Sequence, residues 1–403
     1  MAIKCLYLGV WRDGTGWGNA AQNNILALDR AGVDVVPRSV TLNQPDDNVH
    51  IPARILELEE NDESGCDVCI QHVLPHTMEY HGAFDHNVGI YYSETSHFRH
   101  TKWSEHLSMM DQLWVANHSM VEAALHSYVY APIAVVPLCC DPSIYSQYYK
   151  PYPIPDAIGK FVFYTMGTLT RRKNLVGLLK AFHLEFTPNE PVCMLIKGNL
   201  TGQSPMEANR QLQSTVDEVK RSMRLYPKTT DYLNEILITQ WLDQEKMMRL
   251  HQTCDCFVLP SYGEAWGMPG FDAMAMGNAV ILTDEGGPAE YIQDGKSGIL
   301  IPSRQEPVFI RPDEAPVLDL WTSDENWSAP DIRSLRAQMR EVYKNEEWRY
   351  SLGECGTDRA YDFSLDVVGQ QMKGLLDGTT TPQLYDRASA FRQKHDMSAM
   401  VKQ

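Results

Sequence analysis

Two carboxylates, Glu264 and Asp272, stand eight residues apart in a glycine-punctuated stretch running from Pro260 to Gly277. Such carboxylates accept hydrogen bonds from hydroxyl groups. Gly263, Gly267 and Gly270 around them let backbone approach a ligand closely. Pro269 suits the first turn of a helix and Gly277 its end, so the N–H groups of that first turn face an anion such as a diphosphate. A second cluster, Arg171-Arg172-Lys173, follows a turn at Gly167 and opens a predicted helix. Cations there oppose the helix dipole, so a negative group must offset them. A doubly charged diphosphate would do so, and a solvated basic cluster is the plain alternative. Gly14, Gly16 and Gly18 lie between the first strand and the first helix. Their spacing departs from the Gly-x-Gly-x-x-Gly dinucleotide fingerprint, so they offer flexible backbone N–H groups or simply a tight turn. Glu94 and His97 stand just beyond a predicted strand end, where polar side chains contact an acceptor or a reacting group, a surface loop being the other reading for His97. His72, His76, His81 and His86 form no compact ligand motif, and no metal site is expected.

The elements that must hold these residues alternate between strand-like and helix-like segments. That alternation predicts doubly wound α/β sheets with sites at the strand C-terminal edges. In the first half, strands are expected at Lys4 to Val10, Val33 to Val36, Asp67 to His72, Asn87 to Tyr92, Gln112 to Val115 and Ile133 to Val136. A proline-dense connector at 151–158 cannot be sheet interior and is read as a hinge. The second half supplies strands at Phe161 to Tyr164, Val192 to Ile196, Ile236 to Ile238, Cys256 to Leu259 and Ala279 to Leu282. Its amphipathic helix carries Leu175, Leu178, Leu179 and Phe182 on one face. The expected organisation is therefore an N-terminal Rossmann-like domain over 1–150, the hinge, a C-terminal Rossmann-like domain over 159–363, and a helical segment over 364–403 that crosses back to the first domain. Residues 303–330, rich in Pro and Asp, read as an irregular excursion.

The 403 residues exceed one ordinary core and suit two domains. A formal charge of −17 works against phosphate-rich polymers and anionic lipid surfaces, so neither nucleic acid nor membrane insertion is expected. No apolar run is long enough to span a bilayer and the start does not read as a signal peptide, which points to the cytoplasm. Nine cysteines, odd in number and mostly in strand-like runs, read as reduced packing residues.

Together these residues resemble the retaining glycosyltransferases of family 4. Glu264-Ala265-Trp266-Gly267-Met268-Pro269-Gly270-Phe271-Asp272 is similar to that family's Glu-Gly-Phe-Gly-Leu-Pro-x-x-Glu. Gly286-Gly287-Pro288-Ala289-Glu290 and Gly167-Thr168 through Asn174 resemble two further motifs, and Val136 through Asp141 a fourth. The likeness implies a GT-B fold, two Rossmann-like domains facing each other across a cleft. It also implies transfer of a sugar from a UDP-, GDP- or ADP-sugar to an unidentified acceptor hydroxyl, with retention and without an obligatory metal or cofactor. By the same resemblance Glu264 faces the sugar, Asp272 the ribose, and Arg171, Arg172, Lys173 and Gly16 the diphosphate. Gly14, Gly18, Gly267, Met268, Pro269, Trp241 and Leu242 complete the nucleotide-sugar contacts, and Glu94 and His97 join Glu264 in the catalytic set. Asp272 is one methylene shorter than the family's Glu, which weakens the ribose end. A sugar-nucleotide epimerase, a glycan phosphorylase and a non-catalytic sugar-nucleotide sensor stay open as alternatives.

Overall fold

The computed structural model describes residues 3–41, 49–200, 202–310 and 321–379. The chain falls into two compact units, one gathering the described residues of Met1–Asp141, Pro316–Glu325 and Phe363–Gln403, the other those of Pro142–Ala315 and Asn326–Asp362. The connector at 151–158 lies inside the second unit. The expected C-terminal segment is described only as far as residue 379, and the rest of it, like residues 311–320 of the excursion, lies outside the described residues.

The first unit holds β1 (Lys4–Gly9), β2 (Asp34–Ser39), β3 (Val68–His72), β4 (His86–Ile90), β5 (Gln112–Val115) and β6 (Ile133–Val135), in the order β2-β1-β3-β4-β5-β6. Every pairing is parallel. All five residues of β3 and all four of β5 are buried, as a sheet covered on both faces requires. The helix Leu365–Asp377 returns to this unit and packs on the helix Gly16–Arg30. A Cβ on Gly369 would stand 2.2 Å from the Ala27 carbonyl oxygen, so the close approach of these helices needs glycine there.

The second unit holds β7 (Phe161–Thr168), β8 (Val192–Asn199), β9 (Glu235–Ile238), β10 (Cys256–Leu259), β11 (Ala279–Thr283) and β12 (Ile299–Ile301). Their order, β12-β11-β10-β7-β8-β9, is again parallel throughout and is that of a doubly wound dinucleotide-type sheet. The strand order reverses between β7 and β10 here, and between β1 and β3 in the first unit. Ligands of such sheets bind beyond the strand C-termini at those reversals.

Two local expectations are corrected. The flanks of the 303–330 segment are not irregular: β13 (Ser303–Pro307) and β14 (Asn326–Pro330) pair antiparallel. Pro307 and Pro330 sit at strand ends, where a missing N–H costs little of the ladder, and buried Trp327 anchors β14. The glycine loop is also shorter than expected. The first helix begins at Gly16, so Gly16 and Gly18 stand in its first turn, and a Cβ on Gly18 would lie 1.9 Å from the Asp13 carbonyl oxygen. Gly18 is thus required by packing of the turn.

The described cysteines are free, with Cys66 and Cys355 half-buried and the others buried. Burial pushes the Cys69 and Cys139 thiols up to about 12. Among the described residues no helix is long and apolar enough to cross a membrane.

Candidate functional site

The second unit's strand reversal brings together the two segments that sequence motifs singled out. β7 ends at Thr168 and delivers Arg171-Arg172-Lys173; β10 ends at Leu259 and delivers the loop from Pro260 to Glu264. The three basic residues form one 3-10 turn ahead of the helix Leu175–Glu185, not its first turn as expected. Asn174 is the reason. It adopts the left-handed conformation at φ 52°, which Asn tolerates better than most residues, and its side chain caps the helix by accepting from Gly177 N–H at 3.1 Å.

The turn and the loop are bolted together through main-chain groups. Asn174 Nδ2 donates to the Pro260 carbonyl at 3.0 Å and Tyr262 N–H to the Arg172 carbonyl at 2.8 Å. Arg172 Nη1 donates to the Gly263 carbonyl. From the other side, Thr283 Oγ1 donates to the Ser261 carbonyl at 2.7 Å, Ser328 N–H to the Tyr262 carbonyl at 2.8 Å and Gly287 N–H to the Glu264 carbonyl at 2.9 Å. The Tyr262 ring stacks on Trp327 with centroids 5.5 Å apart. A loop with its polar groups satisfied in this way holds its side chains in fixed positions.

Gly286 and Gly287 let this happen. A Cβ on Gly286 would stand 2.1 Å from the Glu264 carbonyl oxygen, and one on Gly287 would stand 2.2 Å from Trp266 Cα. The Gly-Gly pair is therefore a backbone-on-backbone contact that sets the height of Glu264.

Glu264 is the centre of the arrangement. Lys173 Nζ donates to both of its carboxylate oxygens, at 2.7 and 2.8 Å, and Arg172 Nη1 lies 3.2 Å from Oε1. Lys173 and Glu264 side chains are only 11% and 5% exposed. Burial pushes the Glu264 carboxyl up, but Lys173 and Arg172 outweigh it and hold the group below its ordinary value, so it is ionised. The negative partner demanded by the basic cluster is thus Glu264 itself. Two cations against this one carboxylate still leave a local positive surplus. A carboxylate has about four acceptor sites, so Glu264 keeps capacity for a ligand. The Arg171 guanidinium lies 5.1 Å from the Phe309 ring centroid.

Met268 and Pro269 open the helix Met268–Ala275 behind the left-handed Gly267, at φ 80°. Asp272 stands in this helix, half-buried, and accepts a hydrogen bond from Tyr145 Oη at 2.6 Å. Burial raises its carboxyl to about 6, with the Tyr145 bond pulling the other way. Sequence reasoning missed Tyr145, which lies 127 residues away and carries no motif. It also missed Asn174 as the latch, although an Asn between a basic turn and an apolar helix is an N-cap signal. Leu242 is buried and Trp241 60% exposed in the loop ahead of the helix Gln244–Thr253.

In the first unit, Glu94 is half-buried in the loop after β4, and Gly14 lies before the helix Gly16–Arg30. Both nitrogens of His97 are engaged: Nδ1 lies 3.0 Å from Ser96 Oγ and Nε2 3.0 Å from Asp324 Oδ2, which also meets His100 Nε2 at 2.9 Å. Among the described residues no group of His, Cys, Asp and Glu is arranged to hold a metal ion.

Two parallel-sheet, Rossmann-like units with a basic, carboxylate-centred site at a strand reversal define the GT-B class of α/β architecture. Residues 155–310, within the second unit, match the model of the family Glycosyl transferases group 1. Sucrose synthase of Denitrovibrio acetiphilus is 29% identical over 150 residues, which cover 35% of this chain and 18% of that protein. The chain thus matches less than a fifth of that relative. Sucrose-phosphate synthase from Thermosynechococcus elongatus superposes with a TM-score of 0.60 at 16% identity, covering 94% of this chain and 99% of that one. An E. coli trehalose-6-phosphate structure bound with UDP-2-fluoro glucose superposes with a TM-score of 0.63 at 12% identity, covering 94% and 100%. At these identities the two structures establish the fold.

Proposed function

We propose that the protein is a retaining glycosyltransferase that moves a sugar from a nucleoside diphosphate sugar to an acceptor hydroxyl. The observation that carries this reading is the Lys173–Glu264–Arg172 cluster, fixed at the strand reversal of a glycosyltransferase group 1 domain. In it, Arg172 and Lys173 hold the diphosphate and stabilise the charge that builds on it as the glycosidic bond breaks. Glu264, already ionised, accepts from the sugar hydroxyls, and Asp272 accepts from the ribose once Tyr145 gives way. Gly267, Met268 and Pro269 bring main-chain N–H groups to the same donor. Glu94 acts on the acceptor side. His97, with both ring nitrogens engaged, acts there as a positioning group.

A UDP-sugar is the favoured donor, because the E. coli neighbour is bound with a UDP-sugar analogue. The acceptor oxygen bonds to the anomeric carbon on the face the diphosphate leaves and passes its proton to the departing diphosphate oxygen, so the anomeric configuration is kept, and no divalent metal is needed. The test is incubation with UDP-glucose, GDP-mannose and ADP-glucose across an acceptor panel, with and without EDTA. Nucleoside diphosphate release that survives EDTA, and a product whose anomeric proton coupling matches the donor's, supports the reading. An inverted product would sink the retaining assignment.

A further inference from the structure

The helix Pro205–Met223 runs back from the end of β8 to the start of β9, so its last turn lies at the N-terminal edge of the second unit's sheet. The Lys173–Glu264–Arg172 cluster stands beyond the C-terminal ends of β7 and β10, at the opposite edge. Where the helix gives way to the 3-10 turn Thr229–Asp231, a cavity of about 490 Å³ opens among Lys220, Arg221, Arg224, Tyr226, Thr229 and Tyr232. That volume is in the range of small-molecule sites. Three cations within five residues line it, in a chain whose formal charge is −17.

Two tyrosines fix its walls. Tyr232 Oη donates to the Lys220 carbonyl at 2.8 Å and accepts from Leu225 N–H at 2.9 Å, which holds the chain folded back over the helix end. The Tyr226 ring meets the Tyr232 ring edge-on, with centroids 4.9 Å apart. Lys220 is the buried member of the lining, its side chain 5% exposed. Its Nζ donates to Glu235 at 2.6 Å and to the Leu233 carbonyl at 2.9 Å, with the Tyr232 ring centroid 5.9 Å away, so this ammonium is already balanced. The two arginines are not. Both are exposed, and among the described residues neither has an ion pair or a side-chain hydrogen bond. Arg224 also ends the helix in the left-handed conformation, at φ 54°, where a Cβ is disfavoured and glycine is the usual occupant. A helix C-terminus attracts cations, which accounts for the place of Arg221. It does not account for an arginine in glycine's position, lining a cavity.

We propose that this cavity binds a small organic phosphate, the phosphate monoester of a sugar or polyol, held between Arg221 and Arg224. Two guanidiniums without a carboxylate partner call for about two negative charges, which a phosphate monoester carries near neutral pH and a monocarboxylate does not. Each planar fork matches a pair of phosphate oxygens. The cavity has more room than a bare phosphate fills, so the ester's carbon chain lies against the Tyr226 and Tyr232 rings and the Thr229 hydroxyl meets a ligand hydroxyl. A nucleoside diphosphate sugar at the strand reversal leaves this edge of the sheet untouched. Binding here therefore does not depend on the transferase reading.

The test is isothermal titration of the full chain with D-glucose 6-phosphate, D-glucose 1-phosphate and glycerol 3-phosphate, beside inorganic phosphate and D-glucose. At least one ester binds saturably and more tightly than inorganic phosphate, and D-glucose does not displace it. Arg221→Ala and Arg224→Ala each weaken that ester about tenfold, the order of one lost hydrogen bond to a charged group. Arg210→Ala, earlier on the same helix, leaves it unchanged. The arginine variants bind UDP-glucose as the unaltered chain does, which separates this site from the donor site. Arg224→Gly loses the ester to the same extent yet raises the melting temperature, because glycine takes the left-handed backbone without strain. If none of the three esters binds, if inorganic phosphate binds as tightly as each of them, or if Arg221→Ala and Arg224→Ala bind the ester as the unaltered chain does, the site does not exist.

Discussion

Lys173 Nζ lies 2.7 and 2.8 Å from the two carboxylate oxygens of Glu264, across 91 residues of sequence. The pair is nearly enclosed, so removing Lys173 takes both of its hydrogen bonds from the buried carboxylate and leaves Arg172 as its remaining cation among the ion pairs of this cluster. Lys173→Ala is expected to lower stability by about 3–5 kcal/mol. Adding Glu264→Ala should recover part of that loss, because the stranded carboxylate goes with it. Urea unfolding of the two single variants and the double variant measures this, and additive losses would show that the pair is not coupled.

The same carboxylate gives stability a pH dependence of known sign. Glu264 is held below its ordinary value of 4.5, so the folded state binds fewer protons than the unfolded chain there. Its stabilising contribution is therefore present above pH 4.5 and lost as pH falls through the folded value. Glu264→Gln should flatten this part of the curve of stability against pH.

Asp272 behaves in the opposite sense. Its carboxyl is raised from 3.8 to about 6, so between those values the folded state binds the extra proton and stability falls as pH rises. Asp272→Asn should remove that fall. Tyr145→Phe deletes the hydrogen bond that opposes the rise, so the Asp272 value should climb further, read from its carboxyl carbon by NMR. An unchanged titration in Tyr145→Phe would contradict the contact.

Gly287→Ala places a Cβ 2.2 Å from Trp266 Cα, a main-chain atom that cannot step aside. The expected cost is about 1–3 kcal/mol, as for overpacking, together with weakened donor binding because Glu264 moves. Gly295→Ala is the control. It has nothing within 4 Å, so it should carry only the strain of its left-handed backbone, at φ 73°, and leave donor binding intact. Equal donor affinity in both variants would mean that the glycine contact does not position the site.

Much of this was legible in the residues. The apolar runs at Cys256 to Leu259 and Val192 to Ile196 are strands, Pro269 stands in the first turn of a helix, and the parallel α/β class follows from the alternation. What escaped depends on contacts distant in sequence. The basic turn was read as seeking a ligand's charge, yet Glu264 supplies a negative partner, and only the order of β7 and β10 makes them neighbours. Proline content hid the pairing of β13 with β14, because Pro307 and Pro330 occupy end positions that a ladder tolerates. His72 was read only as one of several scattered histidines; its partner Tyr7 is 65 residues away.

The most direct test of the central claim is isothermal titration of the chain and of Lys173→Gln with UDP-glucose. The account predicts saturable binding by the unaltered chain and a loss of about 1.5–3 kcal/mol in the variant, the worth of a hydrogen bond to a charged group. Equal affinity in the two proteins, or no binding of UDP-glucose, GDP-mannose or ADP-glucose by the unaltered chain, would contradict it.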